Sequence, residues 1–269
     1  MYIEITFKDA SETIKDLIIA SLPDAEGFEE TDNGLKAVFL EQNFNEEEVA
    51  EIGSTYNILY EKEEIAPQNW NALWESNFEP VVIDDFAGIR AAFHEPLNNV
   101  LHEIIITPKM SFGTGHHATT YLMMQQMRKT DFTDKSVFDF GTGTGVLAIL
   151  AHKLGASTVM ANDIDEWSIA NAQENFDHNN TLSVQLLQSD TAEMGKSFDI
   201  ILANINRNVL LENMPALAKQ LKKEGHLILS GILKEDVAAI TRCCSENGLT
   251  SAEQSERNNW VCLAFKFEV

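Results

Sequence analysis

From residue 136 onward, short apolar runs alternate with longer segments of helical periodicity. The apolar runs predict strands over 136–140, 158–161, 184–187, 198–203 and 226–231. Predicted helices over 146–154, 165–178, 210–223 and 235–247 lie between or after them, and two closing strands follow over 249–254 and 260–267. Repeated strand–helix units with apolar strands form mainly parallel sheets covered by helices on both faces. This part of the chain is therefore predicted to be an α/β domain with a doubly wound sheet.

The first part of the chain has a different pattern. Predicted strands over 2–8, 27–30, 35–40 and 57–64 are interrupted by predicted helices over 11–21 and 45–53. We expect Ile14, Leu17 and Ile18 on one face of the first helix, and Asn45 as the cap of the second. The order β-α-β-β-α-β is typical of the ferredoxin-like α+β fold.

Three parts are predicted from these patterns: a ferredoxin-like domain over 1–62, a linker over 63–80 and the α/β domain over 81–269. Trp70 and Trp74 are four residues apart, so they share a face of a predicted linker helix and are expected to pack against a domain. Three cysteines without metal-type spacing predict reduced thiols and a cytoplasmic protein.

The composition is strongly acidic. There are 42 Asp and Glu residues against 19 Lys and Arg, which gives a formal net charge of −23. Such a surface repels nucleic-acid phosphates and attracts basic partners, so we expect no direct nucleic-acid binding. A basic protein substrate is compatible with this charge, and so is an ordinary acidic soluble protein. The chain has no apolar run of about 18 residues, so no membrane span is expected.

A glycine loop follows the first predicted strand of the α/β domain. Gly141, Gly143 and Gly145 alternate with threonines and open a predicted helix, so backbone N–H groups can face a ligand. A dinucleotide fingerprint would place glycine at position 146, where this chain has Val146. That disfavours a nicotinamide-dependent dehydrogenase. A G-x-G-x-G loop preceded by an acid, here Asp139, is the pattern of Rossmann-like methyltransferases.

Polar side chains end the next strands. Asp163 lies 22 residues after Gly141 and can accept hydrogen bonds from both ribose hydroxyls of a bound nucleoside, or it can cap the following helix, a role open also to Asp165. Asp190 is either an adenine contact or a loop acid. Asn204 ends the fourth strand and can offer its carbonyl to an amine, or it is a turn residue.

Residues 112–120 read Phe-Gly-Thr-Gly-His-His-Ala-Thr-Thr and are predicted to form a loop that closes over the pocket. Adjacent His116 and His117 lack zinc-type spacing, so no metal is expected there. The segments 112–120, 139–147, 162–165, 203–205 and 229–233 together resemble the bacterial ribosomal protein L-eleven methyltransferase family. The resemblance extends over nearly the whole chain, including the linker residues Phe78 and Pro80.

This resemblance implies a substrate-recognition domain of ferredoxin-like fold, a linker and a Rossmann-like catalytic domain that uses S-adenosylmethionine. The implied reaction is methylation of lysine ε-amines and of the N-terminal α-amine of the eleventh large-subunit ribosomal protein, free or on the ribosome. By motif, the implied cofactor contacts are Thr120, Gly141, Asp163 and Asn204, and Gly143 of the same loop is placed with them. The sequence departs from the family pattern at 90–96 and 107–111, which bears on loop geometry.

The chemistry predicted for this site is alignment of an amine with an activated methyl group. A lysine ammonium has a pKa of about 10.4 and no free lone pair, so burial has to favour the neutral amine. We expect Asn204 to orient that amine as the catalytic residue. We also expect a monomer. The alternatives are a transferase of the same fold that acts on another protein, a small molecule or RNA, and a non-catalytic binding module.

Overall fold

A computed structural model describes residues 2–8, 10–22, 25–31, 34–65, 78–108 and 115–267. The chain divides into two compact units, residues 1–73 and 74–269. Each unit has its own buried apolar core. The predicted tryptophans of the linker, Trp70 and Trp74, lie outside the described residues, as do residues 112–114 of the predicted loop.

The N-terminal unit is an antiparallel sheet with two helices. Its elements are β1 (Tyr2–Lys8), α1 (Glu12–Ser21), β2 (Gly27–Thr31), β3 (Gly34–Leu40), α2 (Glu46–Thr55) and β4 (Tyr60–Ile65). The strand order is β2-β3-β1-β4, with every neighbouring pair antiparallel. In β1 the alternate residues Ile3, Ile5 and Phe7 are buried, because successive side chains of a strand point to opposite faces. This arrangement confirms the predicted ferredoxin-like fold.

Two local predictions concern the helices of this unit. Asn45 caps α2 as predicted, since its side chain accepts hydrogen bonds from the backbone N–H groups of Glu47 and Glu48. The predicted face of α1 is buried unevenly, since Ile18 is fully buried while Leu17 is 44% exposed. Adjacent positions on a helix point about 100° apart, so the two side chains need not be equally buried. β4 runs to Ile65, and the domain boundaries at 62 and 80 stay predictions.

The second unit begins with a small sheet of β5 (Val81–Ile83), β6 (Ala87–Ala91) and β7 (His102–Ile106). The larger part alternates strands and helices. Its elements are α3 (Ala118–Arg128), β8 (Ser136–Phe140), α4 (Val146–Lys153), β9 (Thr158–Asp163), α5 (Glu166–His178), β10 (Gln185–Gln188), β11 (Phe198–Asn204), α6 (Arg207–Lys219), β12 (Leu221–Leu233), α7 (Val237–Glu246), β13 (Leu249–Arg257) and β14 (Trp260–Phe267).

The main sheet has seven strands in the order β10-β9-β8-β11-β12-β14-β13. The first five of these are parallel, and β14 runs antiparallel to both β12 and β13. From β8 the chain winds outward through β9 and β10 and then returns to place β11 on the other side of β8. Ligands of such sheets bind at this switch in strand order, beyond the carboxyl ends of the strands.

Three element predictions in this unit needed correction. The helix predicted over 210–223 is Arg207–Lys219, and β12 already begins at Leu221 and contains Gly225, the predicted helix stop. The exposed, charged residues 222–224 look helical in sequence, but Leu221 pairs with Phe198 of β11. Residues 118–120 were predicted as loop and instead form the first turn of α3. No helix in the described part of the chain is long and apolar enough to cross a membrane.

Candidate active site

A pocket of about 350 Å³ opens at the carboxyl ends of β8, β9 and β11. Its volume lies in the range of about 300–1,000 Å³ that is usual for small-molecule sites. The sequence-predicted residues Thr120, Gly141, Gly143, Asp163 and Asn204 all line it. The other lining residues are His117, Thr119, Thr142, Thr144, Val146, Leu147, Ser168, Ile205, Asn206, Gly231 and Trp260.

The glycine loop forms the floor of the pocket and bends where side chains would not fit. Gly145 caps α4 with φ +80°, and a Cβ there would come within 2.6 Å of the Phe176 ring. Gly141 has φ +72°, and its Cβ would lie 2.9 Å from Cδ1 of Ile205. Residues with side chains rarely adopt these positive φ values, so glycine is required at both points. The loop thereby brings its main chain close to the pocket.

Asp163 ends β9 and holds the glycine loop from the neighbouring strand. One of its carboxylate oxygens accepts the N–H of Gly143 at 2.8 Å, and the other accepts the N–H of Asp165 at 3.1 Å. The cap of α5 is Asp165, whose Oδ2 accepts the N–H of Ser168 at 2.9 Å. Asp165, and not Asp163, is therefore the N-cap of α5. Asp163 faces the pocket, where its predicted ligand role stays a prediction.

Asp139, the acid that precedes the loop, is buried at the end of β8. Its pKa is raised from the ordinary 3.8 to about 7, because burial and the nearby Asp163 together outweigh the opposite effect of the Thr142 hydroxyl, which donates to Oδ2 at 2.6 Å. The other oxygen, Oδ1, has no hydrogen-bond partner among the described residues. With a pKa of about 7, Asp139 is only about half ionised at neutral pH.

Two lining side chains keep buried oxygens without partners in the described structure. These are Oδ1 of Asn204, at the end of β11, and Oγ1 of Thr120, in the first turn of α3. A buried acceptor that stays unpaired costs about 1–3 kcal/mol, and such groups in native structures call for an explanation. A polar ligand in the pocket would supply the missing hydrogen bonds.

Two ring-bearing residues also line the pocket: Trp260, which sequence reasoning missed, and His117, which it placed in the loop over the pocket without a role. Nδ1 of His117 accepts the N–H of Thr119 and caps α3, and the imidazole meets the Trp260 indole edge-on, with ring centroids 4.6 Å apart. Trp260 begins β14 and pairs with Leu233 of β12, so only the closing strands bring it to the pocket. His116 packs elsewhere, edge-on to Phe78 at 4.8 Å.

Gly231 supports the loop that follows Asn204. Gly231 has φ +86°, and a Cβ there would lie 2.3 Å from the carbonyl oxygen of Ile205. The backbones of β12 and of the loop therefore touch directly at this point. This close contact fixes the direction in which residues 204–206 leave the sheet, and it places Asn206 as the cap of α6.

α5 ties the glycine loop to the segment that leads into residues 109–114. Asn175 is fully buried, and its side chain accepts the N–H of Thr107 and donates to the carbonyl of Thr144, both at 2.8 Å. Asn179, one turn further along, bonds both backbone groups of Ile105. These amides complete the hydrogen bonds of the β7 edge that no other strand of the described residues covers, and they hold the pocket floor in place.

Asp190 is exposed and is not among the residues that line the pocket. Its predicted role as an adenine contact stays a prediction. Within the described residues, no group of three or more His, Cys, Asp or Glu side chains could hold a metal ion. Burial raises the pKa of the Cys262 thiol to about 12, which makes it a poor nucleophile.

The pocket fits the adenosyl cofactor that the sequence predicts. A carboxylate one strand away from a glycine bend suits a ribose diol, and the unpaired oxygens of Thr120 and Asn204 can accept hydrogen bonds from an amino group. Bound there, Thr120, Gly141, Gly143 and Asp163 would hold the cofactor. Asn204 would face the reacting groups.

Comparisons with known proteins agree with this interpretation. The family model "Ribosomal protein L11 methyltransferase (PrmA)" matches residues 4–268. A protein of Bacteroides fragilis named ribosomal protein L11 methyltransferase is 37% identical over 276 residues, covering 98% of this chain and 99% of its own length. A Porphyromonas gingivalis protein of the same name is 46% identical over 206 residues, covering 75% of this chain and 71% of its own.

A crystal structure of the ribosomal protein L11 methylase from Lactobacillus delbrueckii subsp. bulgaricus also matches, with a TM-score of 0.67 and 30% identity. The match covers 71% of this chain and all of that chain. These comparisons confirm the predicted Rossmann-like fold, the transferase class and S-adenosylmethionine as cofactor. The chain belongs to the ribosomal protein L11 methyltransferase family.

Proposed function

We propose that this enzyme methylates lysine ε-amines and the N-terminal α-amine of ribosomal protein L11, with Asn204 as the catalytic residue. The observation that carries the proposal is the unpaired, buried Oδ1 of Asn204 in a pocket formed at the strand ends. The net charge of −23 supports a basic protein as substrate. The same charge supports the absence of direct nucleic-acid binding, and we place the enzyme in the cytoplasm as a monomer.

S-adenosylmethionine supplies a methyl group that is already activated on a sulfonium. The protein therefore has to align an amine and keep it neutral. A lysine amine that enters this pocket loses water, which lowers its pKa from about 10.4. Oδ1 of Asn204 accepts an N–H of the neutral amine, and the nitrogen lone pair then points away from that bond. Such positioning contributes several kcal/mol to a displacement reaction.

The other pocket residues hold and shape the site. Asp163 would hold the ribose hydroxyls, the glycines of the loop would leave room for the cofactor beside the main chain, and Thr120 would contact the cofactor through its hydroxyl. The rings of Trp260 and His117 close the pocket beside Asn204 and exclude water, which would otherwise favour the charged ammonium. Residues 1–62 act as the substrate-recognition domain, and the linker over 63–80 lets it present different amines to one active site.

Mass spectrometry of purified L11 after incubation with the enzyme and S-adenosylmethionine tests the substrate. We expect methyl groups on lysines and on the N-terminus of L11. If the enzyme transfers methyl groups only to RNA or to small molecules and leaves L11 unmodified, the proposal is contradicted. Asn204→Ala is expected to lower the single-turnover rate about 100-fold at saturating cofactor and protein. A variant with the wild-type rate would exclude Asn204 as the orienting group.

The recognition domain has its own test. A chain without residues 1–60 is expected to bind S-adenosylhomocysteine with unchanged affinity and to lose activity on L11. Cofactor binding serves as the control for folding of the remaining unit. Normal methylation of L11 by the shortened chain would contradict the recognition role.

A further inference from the structure

α5 starts beside the pocket and carries an exposed tryptophan. Trp167 is 81% exposed and Ile164, three residues earlier, is 68% exposed. The two lie in sequence between Asp163 and Ser168, which both line the pocket. We name Ile164 and Trp167 the Trp167 patch. Large apolar side chains that stay open next to a functional pocket mark an interaction site, because covering an aromatic ring removes about 150–250 Å² from water.

The surroundings of the Trp167 patch are acidic. Between Lys153 and Lys196 the chain contains no lysine or arginine. Asp165, Glu166 and Asp190 are exposed close to the patch in the sequence or at the adjoining strand end. The carboxylates of this stretch are Asp163, Asp165, Glu166, Glu174, Asp177, Asp190 and Glu193. A partner that complements the patch therefore brings apolar surface together with positive charge, since this stretch of the chain contains carboxylates and no lysine or arginine.

The patch is within reach of a polypeptide that occupies the active site. Asp163 ends β9 and Asn204 ends β11, with β8 as the strand between them. Two strand spacings amount to about 10 Å, which an extended segment of about three residues spans. A substrate whose amine reaches Asn204 can thus place residues a few positions away over the start of α5.

We propose that the Trp167 patch is a docking surface for the methyl-accepting protein on the catalytic unit. The occupant is a basic segment a few residues from the reacting amine, with aliphatic carbon packed on the indole of Trp167. A lysine or arginine of that segment meets Asp165 and Glu166 or lies over the ring as a cation–π pair. The inference rests on the proposed function, because it requires a protein substrate.

Steady-state methylation of purified L11 by Trp167→Ala, with Leu182→Ala as the matched control, tests this surface. Leu182 is 70% exposed and follows α5 at its far end, at the opposite edge of the sheet from the pocket. For Trp167→Ala we expect the KM for L11 to rise about tenfold, with kcat and affinity for S-adenosylhomocysteine within twofold of wild type. Trp167→Phe should fall between wild type and Trp167→Ala, and Leu182→Ala should behave as wild type.

A charge variant tests the acidic part of the docking surface independently. Glu166→Lys should also raise the KM for L11, and the increase should shrink as salt is added, because screening weakens interactions between exposed charges. An unchanged KM for Trp167→Ala overturns the docking surface while leaving the proposed function intact. A loss of S-adenosylhomocysteine affinity overturns it too, because Trp167 then belongs to the cofactor site. If wild-type enzyme transfers no methyl group to L11, both the proposed function and this inference fail.

Discussion

Asp139→Asn is expected to change how the stability of the catalytic unit depends on pH. Asp139 is buried at the end of β8, and its pKa is raised from 3.8 to about 7, mainly by that burial. The folded protein therefore keeps a proton on this carboxyl that the unfolded chain releases above pH 3.8. Stability is lost as the pH rises from about 4 to about 7, because the folded state binds more protons over that interval.

The size of this effect follows from the shift. A change of about three pKa units corresponds to about 4 kcal/mol at 1.36 kcal/mol per unit. At pH 5 the wild-type protein has lost only about 2 kcal/mol of its folding stability through this carboxyl, whereas at pH 8 it has lost nearly the full 4 kcal/mol. Asparagine cannot ionise, and its Oδ1 can still accept the Thr142 hydroxyl that now donates to Asp139. Relative to wild type, the variant should therefore gain about 2–3 kcal/mol between pH 5 and pH 8.

Urea unfolding at a series of pH values, followed by circular dichroism, measures this difference. The matched control is Asp190→Asn, which changes an exposed carboxyl in the same unit and should leave the pH dependence unaltered. If the stability curves of wild type and Asp139→Asn run parallel from pH 5 to pH 8, Asp139 ionises normally in the folded protein and the electrostatic argument for the pocket is wrong.

Other substitutions test the architecture of the site. Asp163→Ala removes the carboxylate that accepts the Gly143 N–H and should weaken binding of S-adenosylhomocysteine at least tenfold by calorimetry; unchanged affinity would contradict the ligand role. Gly231→Ala should destabilise the protein by about 2 kcal/mol more than Gly195→Ala in thermal unfolding, because both have positive φ but only Gly231 has backbone within 3 Å of the added Cβ. Asn175→Ala removes the hydrogen bonds that its side chain makes to the Thr107 N–H and the Thr144 carbonyl and should cost about 2–4 kcal/mol in urea unfolding, whereas a loss below 1 kcal/mol would refute its bridging role.

Several features could be read from local sequence because local physical chemistry decides them. The strand Ser136–Phe140 has the predicted bounds, and the caps Asn45 and Asp165 are in place. Helix caps and glycine bends depend on a few adjacent residues, so they can be predicted from the sequence without knowledge of the tertiary structure. The family resemblance added the cofactor, which no periodicity could have specified.

The chain alone determined the order of the elements in residues 2–65 and from residue 136 onward, the glycine bend, and the polar residues that end β9 and β11, because these depend on periodicity and on neighbours in sequence. Only the tertiary structure decided that Trp260 and Gly231 reach the pocket, since β14 inserts between β12 and β13 through long-range pairing. It also decided that Lys222 to Glu224 lie within a strand, because Leu221 before them and His226 after them both pair with β11. Contacts between residues far apart in sequence leave no pattern in any short segment of the chain. The packing at those contacts therefore decides, unseen in the sequence, which side chains line the pocket.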